Sequence, residues 1–155
     1  MEMKAYHLDP DIVTPKLQEV GKIADESDSV LGNTALYTFR DSQLLVAEDV
    51  SGHLVGFVQY YVLKKKPTIT LHKICIKSTC RRLGYGRRLM FFLFQFCKQN
   101  FIQAIELKCP VDAEANLFYA QLDFKLNGSV VTRTGRKMNK WIKTFPWSLN
   151  DYRTV

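Results

Sequence analysis

From Ile74 to Leu89 the chain reads I-C-I-K-S-T-C-R-R-L-G-Y-G-R-R-L. An apolar, β-branched run predicts a strand that ends here. Beyond it Leu89, Phe92, Leu93, Phe96 and Cys97 recur at i, i+3, i+4, i+7 and i+8, the spacing of one buried helix face. The turn that joins them is unusual. Gly84 and Gly86 remove side chains where a ligand must approach the backbone closely. The helix that opens there leaves its first amides without intrahelical partners and points its positive dipole end outward, which suits phosphate. Arg81, Arg82, Arg87 and Arg88 can add charge-assisted hydrogen bonds. The junction therefore predicts a phosphate cradle. It has no G-K-[ST], and a dinucleotide fingerprint would need a third Gly where Leu89 stands, so neither of those phosphate loops fits.

The rest of the chain fits around this junction. Residues 3–8 predict a first strand. Asp9, Pro10 and Asp11 offer an N-cap with Pro just inside a helix whose stripe is Ile12, Leu17, Val20 and Ile23, broken in its first turn by Pro15. Residues 27–42 are turn-rich. The period then becomes two: strands are expected at 44–50, 54–63 and 68–77, with Ser51-Gly52 as a hairpin turn. A strand at 102–109 follows the central helix. Asp112 is expected to cap a helix whose apolar face is Ala115, Phe118, Tyr119 and Leu122, and a hairpin at 124–132 and 137–145 turns at Thr134-Gly135. Meander and β-α-β connections occur together, which predicts an α+β fold with a mixed, mostly antiparallel sheet of six to seven strands and about four helices.

At 155 residues the chain is expected to form one domain over 1–145, with 146–155 as a C-terminal tail. No apolar run reaches the ~20 residues of a membrane span, and the N-terminus has no signal-like stretch, so a cytoplasmic protein without membrane partners is expected. Cys75, Cys80, Cys97 and Cys109 form no C-x-x-C pair and no zinc pattern, which predicts reduced and mostly buried thiols and no metal. Cys80 sits among basic residues that could make it reactive. Charge is unevenly spread. Residues 1–49 hold four Lys/Arg against ten Asp/Glu, whereas residues 50–105 hold ten Lys/Arg and no acid. Such a stretch faces a polyanion, the acidic first third, or both.

Arg81-x-x-Gly84-x-Gly86, leaving an apolar strand and opening a helix, resembles motif A of the GNAT superfamily of N-acetyltransferases. Asp112-x-x-Ala115-x-x-Phe118-Tyr119-x-x-x-x-Phe124 is similar to that family's second motif, with Asp112 where Asn is usual and Asp123 where Gly is usual. The resemblance implies a GNAT-like fold. It implies acetyl-CoA as co-substrate, its pyrophosphate held by Arg81, Arg82, Leu83, Gly84, Tyr85, Gly86 and Arg87, with further contacts at Asp112 and Phe118. It also implies that the strand at Ile74, Cys75 and Ile76 splays from its neighbour and offers backbone groups to the acyl carbonyl and pantetheine arm.

Acetyl transfer to an amine needs a base, an oxyanion donor and an acid for the leaving thiolate. The resemblance places Tyr119 beside the thioester sulfur as the acid. His72 shares a strand face with Thr70, the position some members fill with a Glu base, and its ordinary pKa suits proton acceptance. Glu48 and Asp49 are further base candidates. The expected function is acetyl transfer from acetyl-CoA to a primary amine of unknown class, by a monomer or homodimer. The acidic first third, with Asp25, Glu26 and Asp28, is expected to draw a cationic amine. Two other readings are a nucleic-acid-associated protein, from the basic residues in 125–143 with Trp141, Phe145 and Trp147, and a non-catalytic acyl-CoA sensor.

Overall fold

A computed structural model describes residues 2–28 and 39–146. In chain order the elements are β1 (Met3–Leu8), α1 (Pro15–Asp28), β2 (Gln43–Asp49), β3 (Leu54–Val62), β4 (Thr68–Ile76), a 3-10 turn (Ser78–Cys80), α2 (Tyr85–Gln99), β5 (Ala104–Pro110), α3 (Ala115–Gln121), β6 (Lys125–Val131) and β7 (Lys137–Thr144). The strands form one seven-stranded order, β1-β2-β3-β4-β5-β7-β6. β1/β2, β2/β3, β5/β7 and β6/β7 are antiparallel and β4/β5 is parallel, so the sheet is mixed as expected. Three α-helices lie among the described residues. Most of the turn-rich stretch 27–42, and Trp147 with the tail after it, lie outside them.

The chain forms two compact units. One takes the residues up to Tyr61 together with Lys73–Phe96; the other takes Val62–His72 and the residues from Cys97 onward. In the first unit, Leu17, Val20, Ile23 and Ala24 of α1 pack with Phe39, Leu44, Val46, Leu54, Phe57 and Cys75. This is the alternating pattern of β2 and β3 meeting the 3.6-residue stripe of α1. The helix does not begin at Asp9-Pro10-Asp11. Thr14 is its N-cap: Thr14 Oγ1 accepts from Leu17 N–H at 3.2 Å and Thr14 O accepts from Gln18 N–H at 3.0 Å. Pro15 is thus the first helical residue, where its missing N–H costs nothing, rather than a break. Asp9 Oδ1 instead accepts from Asp11 N–H, closing a turn before the helix.

The buried face of α2 also differs from the expected one. Leu89, Met90, Leu93 and Cys97 are buried, while Phe92 is 39% exposed and Phe96 half-buried. Met90 lies 100° from Leu89 on the helix wheel, toward Leu93, whereas Phe92 lies on the far side; apolar character alone does not separate them. Gly56 on β3 has a packing reason: a Cβ there would lie 2.5 Å from Cys75 O and 2.6 Å from Ile76 Cδ1.

In the second unit, β5 and β7 pair along their full length, from Ala104↔Thr144 to Pro110↔Met138. The β6–β7 hairpin turns at Gly135 (φ 87°), and the register of β6 shifts between Leu126 and Ser129, around Gly128 (φ 94°).

Candidate active site

The end of β4 leads into the expected cradle. Lys77 O accepts from Cys80 N–H at 2.8 Å, which closes the 3-10 turn. Arg81 Nε then donates to Ile76 O at 3.1 Å, bracing the loop on the strand end. Arg82 and Gly84 have φ of 63° and 84°, with Leu83 between them at negative φ. Left-handed residues in a turn direct nearby backbone amides to one side, a form found in anion-binding concavities. Gly84 O accepts from Arg88 N–H at 3.1 Å, so Gly84 is the N-cap and α2 opens at Tyr85, before Gly86 rather than after it. The amides of Tyr85, Gly86 and Arg87 precede the first intrahelical bond. Tyr85 is buried and anchors the helix start, while Arg81, Arg82, Leu83 and Arg87 are exposed. A Cβ on Gly84 would meet nothing within 4 Å, so the loop is open where a ligand would enter. Four arginines, a left-handed turn and a helix N-terminus suit a diphosphate.

The acidic first third reaches this loop through Glu26. Its carboxylate accepts from Ser78 N–H at 3.3 Å, and Ser78, then Arg81 and Lys77, hold it below the usual carboxylate range. Glu48, a candidate base, is already engaged: Tyr6 O–H donates to its Oε1 at 2.6 Å and Lys16 Nζ donates to the same oxygen. Asp49 Oδ1 accepts from Ser51 N–H and His53 N–H in the β2–β3 turn. Both carboxylates are engaged in hydrogen bonds within their own unit.

The second unit holds a pocket of about 560 Å³. Its origin is the parting of two parallel strands. β4 and β5 pair only at Thr68↔Ala104, Ile69↔Ile105 and Thr70↔Glu106, although β5 runs on to Pro110. Past that point the pocket opens, lined by Thr70, Leu71 and His72 of β4, Glu106, Leu107 and Lys108 of β5, Asn127 of β6, and Met138, Lys140 and Trp141 of β7. Thr70 and His72 both line it. His72 is exposed. Glu106 escaped the sequence reading. Its one signal was its place as the first carboxylate after the acid-free run 50–105.

Tyr119 is 5% exposed on α3 and lies edge-on to Phe124, with ring centroids 5.6 Å apart. Phe118 is half-buried and Ala115 exposed, so the buried face of α3 is narrower than expected. Asp112 does not cap α3. The N-cap is Glu114, without a side-chain bond, and Asp112 is an exposed turn residue two positions earlier. The polar tie comes from Asn116, which the sequence did not single out. Its Nδ2 donates to Pro110 O at 2.7 Å and Ala113 O at 2.8 Å; its Oδ1 accepts from Trp141 Nε1 at 2.9 Å and Asn139 Nδ2 at 3.1 Å. Trp141, at 7% exposure, is consequently no exposed stacking platform. Cys75, Cys97 and Cys109 are buried; burial pushes the Cys97 thiol up to about 12. Among the described residues no group of three His, Cys, Asp or Glu could hold a metal ion, and no helix is long and apolar enough to cross a membrane.

The seven-stranded mixed sheet with its helices is the fold of the GNAT acetyltransferases. Residues 14–124 match the Acetyltransferase (GNAT) family, and the chain belongs to it; it is an N-acetyltransferase by class. Solved structures agree on the fold. An aminoglycoside 6'-N-acetyltransferase complexed with coenzyme A is similar at TM-score 0.77 and 16% identity, covering 95% of this chain and 99% of that one. The ribosomal-protein-S18-alanine N-acetyltransferase from Escherichia coli is similar at TM-score 0.76 and 14% identity, covering 95% and 96%. Ard1 from Thermoplasma volcanium is similar at 0.74 and 16%, covering 94% and 99%. No curated protein sequence matches this chain.

Proposed function

We propose that the chain transfers an acetyl group from acetyl-CoA to a primary amine by direct attack, without an acyl-enzyme. The amides of Tyr85, Gly86 and Arg87, with Arg81 and Arg82, hold the pyrophosphate. Backbone groups along Ile74, Cys75 and Ile76 orient the thioester. Glu106 or His72, which line one pocket, takes the proton from the attacking ammonium, directly or through water. The amine nitrogen bonds to the carbonyl carbon, the C–S bond breaks, the Tyr119 phenol protonates the departing thiolate, and the extra proton on the new amide nitrogen leaves through water to restore the phenol.

The observation that carries this reading is the turn between β4 and α2. Left-handed Arg82 and Gly84 sit before a helix start surrounded by guanidinium groups, a form that suits a diphosphate. The coenzyme A present in the similar aminoglycoside acetyltransferase structure supports it. The test is calorimetry with acetyl-CoA. The wild-type protein is expected to give saturable heat, and Gly84→Val, whose branched side chain cannot hold φ 84° without strain, is expected to bind at least roughly tenfold more weakly. Absence of heat from wild-type protein with any CoA ester would sink the reading. Of the three aromatic residues behind the nucleic-acid alternative, Trp141 is buried with its indole on Asn116.

A further inference from the structure

The pocket between β4 and β5 carries a charge pattern that strand pairing alone opposes. Lys108 of β5 and Lys140 of β7 are direct cross-strand partners. Like charges facing each other in this way destabilise a sheet. Both line the pocket, and both are exposed. Among the described residues neither lysine makes an ion pair. Glu106 stands two residues before Lys108 on the same face, since Leu107 between them is buried with Trp141 on the face that α3 covers. The pocket therefore presents one carboxylate against two ammonium groups, with His72 and Asn127 as polar neighbours. A polycationic acceptor would meet repulsion here.

We propose that the acceptor is a primary amine that also bears an anionic group, carboxylate or phosphate, which Lys108 and Lys140 clamp while Glu106 and His72 face the amine. The two ends of the pocket fix the spacing. Successive same-face residues on a strand are about 7 Å apart, so the anion lies a few bonds from the reacting nitrogen. The cost of setting two lysines side by side is recovered only when an anion lies between them. This inference rests on the acyl-transfer reading, because it names the acceptor for that same site.

The test compares kcat/KM for thiol release with four amines: phosphoethanolamine, β-alanine, ethanolamine and spermidine. With wild-type protein, phosphoethanolamine or β-alanine is expected to exceed ethanolamine by roughly tenfold or more, and spermidine to be the poorest. Which anionic amine is better distinguishes phosphate from carboxylate. In Lys108→Gln and Lys140→Gln the preference for the anionic amine over ethanolamine is expected to collapse while the melting temperature rises, because the cross-strand repulsion is gone. A merely solvated lysine pair would give the rise in stability and leave the preference where it was, and that result overturns the proposal. So does a wild-type preference for spermidine or ethanolamine. If acetyl-CoA itself gives no binding heat, the acyl-transfer reading has failed first, and the acceptor proposal falls with it.

Discussion

The indole N–H of Trp141 donates to Asn116 Oδ1 at 2.9 Å, and through that bond one side chain ties α3 to β7. The same amide also donates to Pro110 O, at the end of β5, so all of its main hydrogen-bonding directions are used. Removing it leaves the N–H of a buried Trp and the Asn139 amide without this acceptor, and takes one of two donors from each of Pro110 O and Ala113 O. Asn116→Ala is expected to cost about 2–3 kcal/mol. Asn116→Asp keeps the acceptor for Trp141 but turns a carboxylate oxygen toward Pro110 O and Ala113 O, and is expected to cost at least as much. Urea denaturation measures both; a loss well under about 1 kcal/mol in either would show the network to be incidental.

Asp123 ends α3 in the left-handed conformation, with φ 65°. Phe124 N–H bonds to Tyr119 O and Asp123 N–H to Ala120 O, both at 3.1 Å, and the Phe124 ring rests on Tyr119. These are the 6→1 and 5→2 bonds and the apolar contact of a Schellman cap. The family's usual Gly would adopt this φ without strain, so Asp preserves the turn at an energetic cost. Asp123→Gly is expected to stabilise the protein by about 0.5–1 kcal/mol, and Asp123→Val to destabilise it by more than that. Thermal melts of the two variants, moving in opposite directions, check the assignment.

Much of this fold was legible because two periodicities determine which side chains are buried. The period of two placed β2 and β3 but understated their burial, which covers both faces, and the i, i+3, i+4 pattern placed α2. The turn between β4 and α2 was legible because two closely spaced glycines punctuate the step from strand to helix. Contacts that depend on tertiary neighbours were not. Asn116 reads as an ordinary helix residue until β7 brings Trp141 to it. Glu106 and Lys108 read as the solvent side of a strand until β4 parts from β5. Thr14 was overlooked as an N-cap because Asp9 and Asp11, with Pro10, made a stronger local signal one turn too early. Asp112 was assigned a capping role by spacing alone, and its side chain does not cap the helix.

The assignment of Tyr119 as acid gives a separable prediction. Tyr119→Phe retains the ring and its contact with Phe124 but loses the only proton the phenol could give to a thiolate. Turnover is expected to fall by roughly a hundredfold, within the usual range for loss of a general acid, with acetyl-CoA binding heat little altered. Full turnover in this variant would transfer the role to water or to another side chain, and would leave the fold and the cradle intact.

The Tyr6–Glu48–Lys16 cluster predicts how stability varies with pH at both extremes. The Glu48 carboxyl is held below its ordinary 4.5, first by the hydrogen bond from Lys16 and then by that from Tyr6. Folding therefore favours its ionised form; that stabilisation is complete above 4.5 and is lost as the pH falls through the lower native value. The Tyr6 phenol moves the other way, from 10.0 up to about 12, first because it is buried and then because it donates to Glu48. Folding favours its neutral form, so its contribution is complete below 10 and is lost as the pH rises toward about 12. Tyr6→Phe is expected to abolish the alkaline loss that this group causes and to blunt the acid one. Glu48→Gln is expected to reduce both, because each group's shift depends in part on the other. Urea midpoints taken from about pH 3 to about pH 12 measure the effect. If Tyr6→Phe weakens above pH 10 as steeply as the wild type does, the alkaline sensitivity belongs to other groups.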